Sequence, residues 1–145
     1  MAGKHLVLLG DSVFDNQAYV ARGRAVVDHL RRTLPPSDRV TLLAMDGDGS
    51  QDIPDQLRRL PPDTTHLALS VGGNDVLGCL HAFNAPCRSV SEAFTHLNVL
   101  QSQFASSYRS AVSMVARWQL PCVVCTIYDQ VPGLETEAAR DTVLH

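Results

Sequence analysis

Three short polar segments of the sequence carry residue types suited to acyl-transfer chemistry. They are Gly10-Asp11-Ser12, Asp46-Gly47-Asp48 and Gly72-Gly73-Asn74-Asp75. A serine hydroxyl attacks an acyl carbon when a neighbouring base accepts its proton. Backbone N–H groups and a side-chain amide can stabilise the negative charge that develops on the acyl oxygen. The residue types therefore predict a serine nucleophile that is surrounded by donors from glycine-rich loops.

Each of these segments follows an apolar run with the character of a buried parallel strand. The predicted strands are residues 4–9, 39–45, 65–71 and 120–127. Helical patterns separate them, so the chain is predicted to be a single α/β domain spanning residues 1–145. We expect a flavodoxin-like, doubly wound parallel sheet in a three-layer α/β/α arrangement, with strand order 2-1-3-4. In that order strand one lies between strands two and three, and the three polar segments meet at one edge.

The helices that position these strands are less regular in pattern. Apolar spacing predicts a helix over residues 19–34, with Asp15 and Asn16 as caps at its start. A shorter helix begins after Ser50, and residues 76–88 lack a regular pattern. Residues 89–92 form a capping box, which starts one long or broken amphipathic helix that runs to residue 118. Residues 135–145 begin another helix.

The chemistry expected at the sheet edge is specific. Ser12 is predicted to be the nucleophile, and its own N–H, the N–H of Gly47 and the amide of Asn74 are predicted to form an oxyanion hole. Gly47 has no side chain, so its backbone can approach a substrate closely. The simpler interpretation is that Asp11 and Ser12 only cap a turn. Three such segments at three strand ends favour the catalytic interpretation.

In this order and at these separations, the three segments resemble the SGNH (GDSL) hydrolase superfamily of esterases, lipases and thioesterases. The resemblance covers essentially the whole chain. It implies that Ser12 is the nucleophile, that Gly47 and Asn74 are oxyanion donors, and that an acyl ester or thioester is cleaved through an acyl-enzyme. It implies no metal and no organic cofactor. The expected partner is therefore a small-molecule acyl ester or thioester.

The last segment of that superfamily, Asp-x-x-His beyond a fifth strand, has no matching segment here. Asp141 and His145 are one residue too far apart for it, and they lie on the predicted final helix. We therefore expect the fifth strand and the last segment to be missing from this chain, which would make it a poor hydrolase. The alternative, that Asp141 and His145 share a helix face and complete the site, stays open.

The remaining histidines are expected to be structural or solvated. His5 and His66 start strands at the edge opposite the site, and His29 and His96 belong to helices. His81 follows the third segment and could approach the site.

Composition excludes several other classes of function. The net charge is −3 and the basic residues are scattered, which argues against a nucleic-acid surface. Apolar runs are too short to span a bilayer, and the N-terminus lacks the features of a secretory signal, so a cytoplasmic protein is expected. The cysteines Cys122 and Cys125 are predicted to be buried thiols on opposite faces of a strand, whereas Cys79 and Cys87 could pair in an oxidising compartment.

Two further classes of function stay open. One is a non-catalytic remnant that keeps the fold and a binding cleft. The other is a flavodoxin-like nucleotide or phosphate binder, which is disfavoured because neither glycine-rich phosphate motif occurs. A calcium loop starting at Asp46 is excluded, because Gln51 and Leu57 occupy the positions of its glycine and glutamate. Without a fifth strand, residues 122–127 would form an apolar edge open to self-association.

Overall fold

The computed structural model of the protein describes residues 3–127. The strands are β1 (His5–Gly10), β2 (Arg39–Leu42), β3 (His66–Ser70) and β4 (Cys122–Val124). The α-helices are α1 (Val26–Thr33), α2 (Ile53–Arg58), α3 (Gly73–Gly78) and α4 (Val90–Ala116), and 3₁₀ turns occur at Gln17–Tyr19, Ser50–Asp52 and Leu80–Asn84. The helix predicted at 135–145, with Asp141 and His145, lies outside the described residues.

The four strands form one parallel sheet in the order β2-β1-β3-β4, as the sequence predicts. In the centre of the sheet, Leu8 of β1 pairs with Leu42 of β2 and with Ala68 of β3. Neighbouring side chains of a strand point to opposite faces of the sheet. An almost continuous apolar β1 is therefore buried on both faces, and its Val7, Leu8 and Leu9 are at most 1% exposed.

Helices cover both faces of the sheet and give the predicted α/β/α layers. On one face, α2 and α4 pack against Val7, Leu9, Leu67 and Leu69, with Ile53, Ala111 and Val115 among the buried helix residues. On the other face, α1 packs against β2, and Leu8, Phe14, Val27 and Val40 form a second cluster. The carboxyl ends of β1, β2 and β3 thus lie at one edge of a sheet that is packed on both faces.

The prediction of one helix over residues 19–34 is wrong. Residues 17–19 form a 3₁₀ turn, and α1 starts only at Val26. Gly23 adopts a left-handed backbone with φ of 77°, which interrupts the helical path that the apolar spacing suggests. The N-cap of α1 is therefore Ala25 and not Asp15 or Asn16. Asn16 still contributes across the interruption, because its Oδ1 accepts a hydrogen bond from the Val26 N–H at 3.0 Å.

The prediction of irregular structure over 76–88 is confirmed for residues 85–88 and wrong for most of the preceding residues. Gly72 has φ of 117° and turns the chain within one residue, so α3 starts at Gly73 and a 3₁₀ turn follows it. The capping box at 89–92 is confirmed in its first half: Ser89 Oγ accepts from the Glu92 N–H at 3.1 Å, and α4 runs unbroken for 27 residues. The Glu92 carboxylate instead accepts from the N–H of Arg88.

The strands are shorter than their apolar patterns, except for β1, which extends to Gly10. β2 ends at Leu42, where the Leu8 carbonyl accepts the ladder hydrogen bond from the Leu43 N–H and a second hydrogen bond from the Ala44 N–H. β4 is reduced to three residues and forms an edge of the described sheet, with Val123 67% exposed. The prediction that this edge is open for lack of a fifth strand depends on residues 128–145, which lie outside the described range, and it stays a prediction.

Two further sequence expectations concern cysteines and membranes. All four cysteines are free thiols, so Cys79 and Cys87 do not pair. Cys122 is exposed rather than buried, because β4 lies at the edge of the sheet. Between residues 3 and 127, no helix combines the length and the apolar character needed to cross a membrane.

Gly10→Ala is expected to lower the free energy of unfolding by roughly 2–3 kcal/mol. Gly10 has φ of 127°, and a Cβ on it would lie 1.7 Å from the carbonyl oxygen of Ser70 on β3. The backbones of β1 and β3 would have to separate. Urea unfolding measures the loss, and Gly78→Ala is the control because a Cβ there meets open space. Equal stability of the two variants would contradict the observed packing of β1 on β3.

Candidate active site

The first polar segment forms a tight turn, called here the serine turn (residues 10–15). The Asp11 N–H donates to the Ser70 carbonyl at 3.0 Å, and the Asp11 carbonyl accepts from the N–H groups of Phe14 and Asp15. Phe14 is 8% exposed and anchors the turn in the core. Ser12 is half-buried in a turn whose two flanks are fixed.

The buried side chain of Asp11 stabilises this turn. It is 3% exposed, and its Oδ1 accepts from the Val13 N–H at 3.0 Å. Burial raises the pKa of the Asp11 carboxyl, although hydrogen bonds from the backbone oppose that rise. The carboxylate thus acts as a cap for the turn.

The second segment forms the glycine loop (residues 46–50), which is hydrogen-bonded to the serine turn. The Asp46 N–H donates to the Asp15 carboxylate at 3.0 Å, and the Tyr19 hydroxyl donates to the Asp46 carboxylate at 2.7 Å. That hydrogen bond raises the pKa of Tyr19. Gly47 has φ of 90°, is exposed, and has no atom within 4 Å of the position a Cβ would occupy. Its peptide is therefore open to an approaching ligand.

The third segment is bonded directly to the glycine loop. Asn74 lies in the first turn of α3, and its Nδ2 donates to the Asp48 carbonyl at 2.8 Å. An amide nitrogen carries two hydrogens, so this bond orients the group and uses one of them. The neighbouring Asp75 carboxylate accepts from the N–H and the hydroxyl of Ser50. These bonds hold Asn74 in a fixed position relative to Gly47.

A cavity of about 290 Å³ opens where the glycine loop faces α3 and α4. Its lining combines backbone and polar groups with two apolar side chains of α4: Gly47, Gly49, Gln51, Asn74, Asp75, Gly78, Cys79, Leu100, Gln103, Phe104 and Ser107. The structure thus brings Gly47 and Asn74 to one cavity. Ser12 is not part of this lining and lies on the serine turn, which the Asp15–Asp46 bond joins to the glycine loop. The convergence of Ser12 with both donors stays a prediction.

A polar residue that the sequence analysis missed connects the serine turn to the glycine loop. Gln56 of α2 is 0% exposed. Its side-chain amide forms hydrogen bonds with the N–H and the carbonyl of Gly10 and with the Asp48 carboxylate. A signal exists in the sequence: Gln56 lies three residues after Ile53 and next to Leu57, on the inward face of a short helix. A glutamine on an apolar face requires buried hydrogen-bond partners.

The histidines of the described chain have other partners than Ser12. His5 is 4% exposed at the start of β1, between the Asp63 carboxylate at 3.1 Å and the Thr41 hydroxyl at 2.8 Å. Burial and the nearby Arg39 lower the pKa of His5. The other four bond locally: His29 to Arg32, His66 to Thr65, His81 to the Gly78 carbonyl, and His96 to Cys87. His5 and His66 lie at strand starts, opposite the serine turn, as predicted.

Within residues 3–127, His, Cys, Asp and Glu side chains form no group of three or more that could hold a metal ion. The donors gathered at the sheet edge are N–H groups and an amide, which suit an anionic oxygen.

Solved structures with a similar fold include a lipase, an esterase and a phospholipase. An extracellular lipase from Streptomyces rimosus aligns with 97% of this chain and 70% of its own, with 15% identity and a TM-score of 0.61. AlinE4, an SGNH-hydrolase family esterase, aligns with 97% of this chain and 67% of its own (18% identity, TM-score 0.61). A phospholipase A1 from Streptomyces albidoflavus aligns with 98% of this chain and 70% of its own, with 19% identity and a TM-score of 0.60.

These likenesses establish that the chain has the SGNH-hydrolase fold. The observed sheet confirms the predicted α/β class and strand order. No protein-family model and no curated protein matches the sequence.

Proposed function

We propose that the protein is a serine hydrolase of the SGNH type that cleaves an acyl ester or thioester through an acyl-enzyme on Ser12. The observation that carries the proposal is the position of the Asn74 amide. This amide donates to the Asp48 carbonyl and lines the same cavity as Gly47. A side-chain amide and a free glycine peptide at the same cavity are the donors that an oxyanion needs. The fold shared with lipases and esterases adds support.

In the proposed reaction, Ser12 Oγ attacks the acyl carbon while a histidine accepts its proton. The carbonyl oxygen becomes an oxyanion, which accepts hydrogen bonds from the N–H groups of Ser12 and Gly47 and from Asn74 Nδ2. Collapse of this intermediate breaks the ester bond, and the leaving alcohol or thiol takes the proton back. Water then repeats the sequence on the acyl-enzyme and releases the acid. Asp141 and His145 lie outside the described residues and stay an untested alternative for the proton-accepting pair.

A fluorophosphonate probe tests this proposal. The probe phosphonylates an activated serine, and mass spectrometry of the digested protein locates the adduct. We expect one adduct, on the peptide that contains Ser12, and no adduct in Ser12→Ala. An unlabelled natural protein would favour a non-catalytic binding module instead. An adduct that persists in Ser12→Ala would place the reactive nucleophile on another residue.

The cavity predicts a preference for short acyl chains. Its volume of about 290 Å³ is at the lower end for ligand sites, and Leu100 and Phe104 close it on the side of α4. We expect kcat/KM for p-nitrophenyl butyrate to exceed that for the palmitate by at least about tenfold, because a long chain cannot be buried there. Initial rates across an ester series measure this preference.

Phe104→Ala is the matched variant for that series. It removes one wall of the cavity and should shift the optimum to longer chains. Equal kcat/KM for butyrate and palmitate in the natural protein would contradict an acyl site in this cavity.

A further inference from the structure

The side chain of Gln56 is fully buried between α2 and the end of β1. Its Oε1 accepts from the Gly10 N–H at 2.7 Å, and its Nε2 donates to the Gly10 carbonyl at 2.7 Å. The same Nε2 donates to Asp48 Oδ2 at 2.8 Å. One amide therefore binds both backbone groups of the residue that begins the serine turn, and also the glycine loop.

Packing alone does not explain a glutamine at this position. Burying an amide costs free energy unless its donors and acceptor are all bonded, and an apolar side chain of the same size would fill the space without that cost. Here both hydrogens of Nε2 and the acceptor Oε1 have partners at 2.7 or 2.8 Å. The geometry is that of a fixed connector between two loops.

The connection continues from Gln56 to Asn74 through one residue. The Asp48 carboxylate accepts a hydrogen bond from Gln56, and the Asp48 carbonyl accepts one from Asn74. Both the side chain and the backbone of Asp48 are therefore held by hydrogen bonds. The Gly47–Asp48 peptide lies next to these two bonds. A shift of Gln56 would therefore move the serine turn relative to the Gly47 peptide and to Asn74.

We infer that Gln56 is a positioning residue for the reaction, which sets the distance between the Ser12 nucleophile and the oxyanion donors. The inference rests on the proposed function. Its physical basis is that small misplacements of reacting groups, of about 1 Å, lower rates by as much as about 10²-fold. Gln56 itself touches no substrate in this account.

Gln56→Met tests the inference, because methionine keeps the length of the side chain and loses its hydrogen bonds. We expect kcat for p-nitrophenyl butyrate to fall by roughly 10–100-fold, with little change in KM. The Gly10 amide, followed by hydrogen exchange in NMR spectra, should exchange roughly tenfold faster, because it loses its acceptor. Leu57→Val, on the same helix and in the same core, is the control and should keep both kcat and Gly10 exchange.

Asp48→Ala removes the carboxylate that accepts from Gln56, on the half-buried glycine loop. This variant replaces Gln56→Met as the test if Gln56→Met does not fold. It should lower kcat by at least about tenfold. Wild-type kcat in Gln56→Met and in Asp48→Ala would overturn the inference, whatever the rate of Gly10 exchange. A natural protein without Ser12-dependent turnover would instead overturn the proposed function. In that case faster Gly10 exchange in Gln56→Met would still show that Gln56 orders the serine turn.

Discussion

Ser12→Ala is expected to lower kcat for ester hydrolysis by on the order of 10⁶ in the full natural protein. The hydroxyl is the atom that forms the acyl-enzyme, and the histidine and its acidic partner have no function without it. The remaining activity should be that of the oxyanion donors and substrate binding, roughly 10³–10⁴ above the reaction in water. Stability should change little, since Ser12 is only half-buried and the turn is held by Asp11 and Phe14.

Steady-state kinetics with p-nitrophenyl butyrate, together with thermal unfolding, separate loss of chemistry from loss of structure. Ser107→Ala is the matched control, because it removes a hydroxyl from the cavity wall on α4 instead of from the serine turn. We expect it to affect KM more than kcat. A Ser12→Ala variant with the wild-type rate would remove Ser12 from the mechanism.

Asn74→Ala is expected to lower kcat by roughly 10²–10³, the usual effect of losing one oxyanion donor. KM should change little, because the bond to the oxygen is strongest when that oxygen carries charge. The variant also loses the bond to the Asp48 carbonyl. The measured kcat loss therefore includes the freedom that the glycine loop gains.

Asn74→Asp distinguishes the loss of the two hydrogen bonds, to the oxyanion and to the Asp48 carbonyl, from the loss of side-chain volume. It keeps the size of the side chain, but replaces the amide donor with a carboxylate that repels an oxyanion. We expect a kcat loss at least as large as in Asn74→Ala, measured under conditions in which thermal unfolding shows both variants to be folded. A kcat within twofold of the natural protein in Asn74→Ala would exclude Asn74 as an oxyanion donor.

The parts of the fold that the sequence predicts are those with a local physical signal. Continuous apolar runs reveal buried parallel strands, and alternating strands and helices lead to the order β2-β1-β3-β4. The start of α4 is predictable because Ser89 and Glu92 form a cap within four residues of chain. Such signals depend only on neighbours in the sequence.

The errors lie where distant contacts decide the structure. Apolar spacing over 19–34 does not reveal that Gly23 is left-handed or that Asn16 accepts a hydrogen bond from the Val26 N–H. The start of α3 at Gly73 depends on the single left-handed residue Gly72. The short β4 depends on its pairing with β3 alone among the described strands.

The residues of the candidate site show the same contrast between local signals and distant contacts. Residue type and position after predicted strands indicate Ser12, Gly47 and Asn74. The connector Gln56 was missed because its partners Gly10 and Asp48 are 46 and 8 residues away in sequence. A polar residue on the inward face of a helix is the signal that would have found it.

The crystal structure of the protein phosphonylated by a small fluorophosphonate tests the central claim most directly. The adduct carries a tetrahedral centre whose oxygen stands in for the oxyanion. We predict phosphorus bonded to Ser12 Oγ, with that oxygen about 2.7–3.1 Å from the Gly47 nitrogen and from Asn74 Nδ2. A covalent centre on another residue, or an Asn74 amide turned away from the phosphonyl oxygen, would contradict the account.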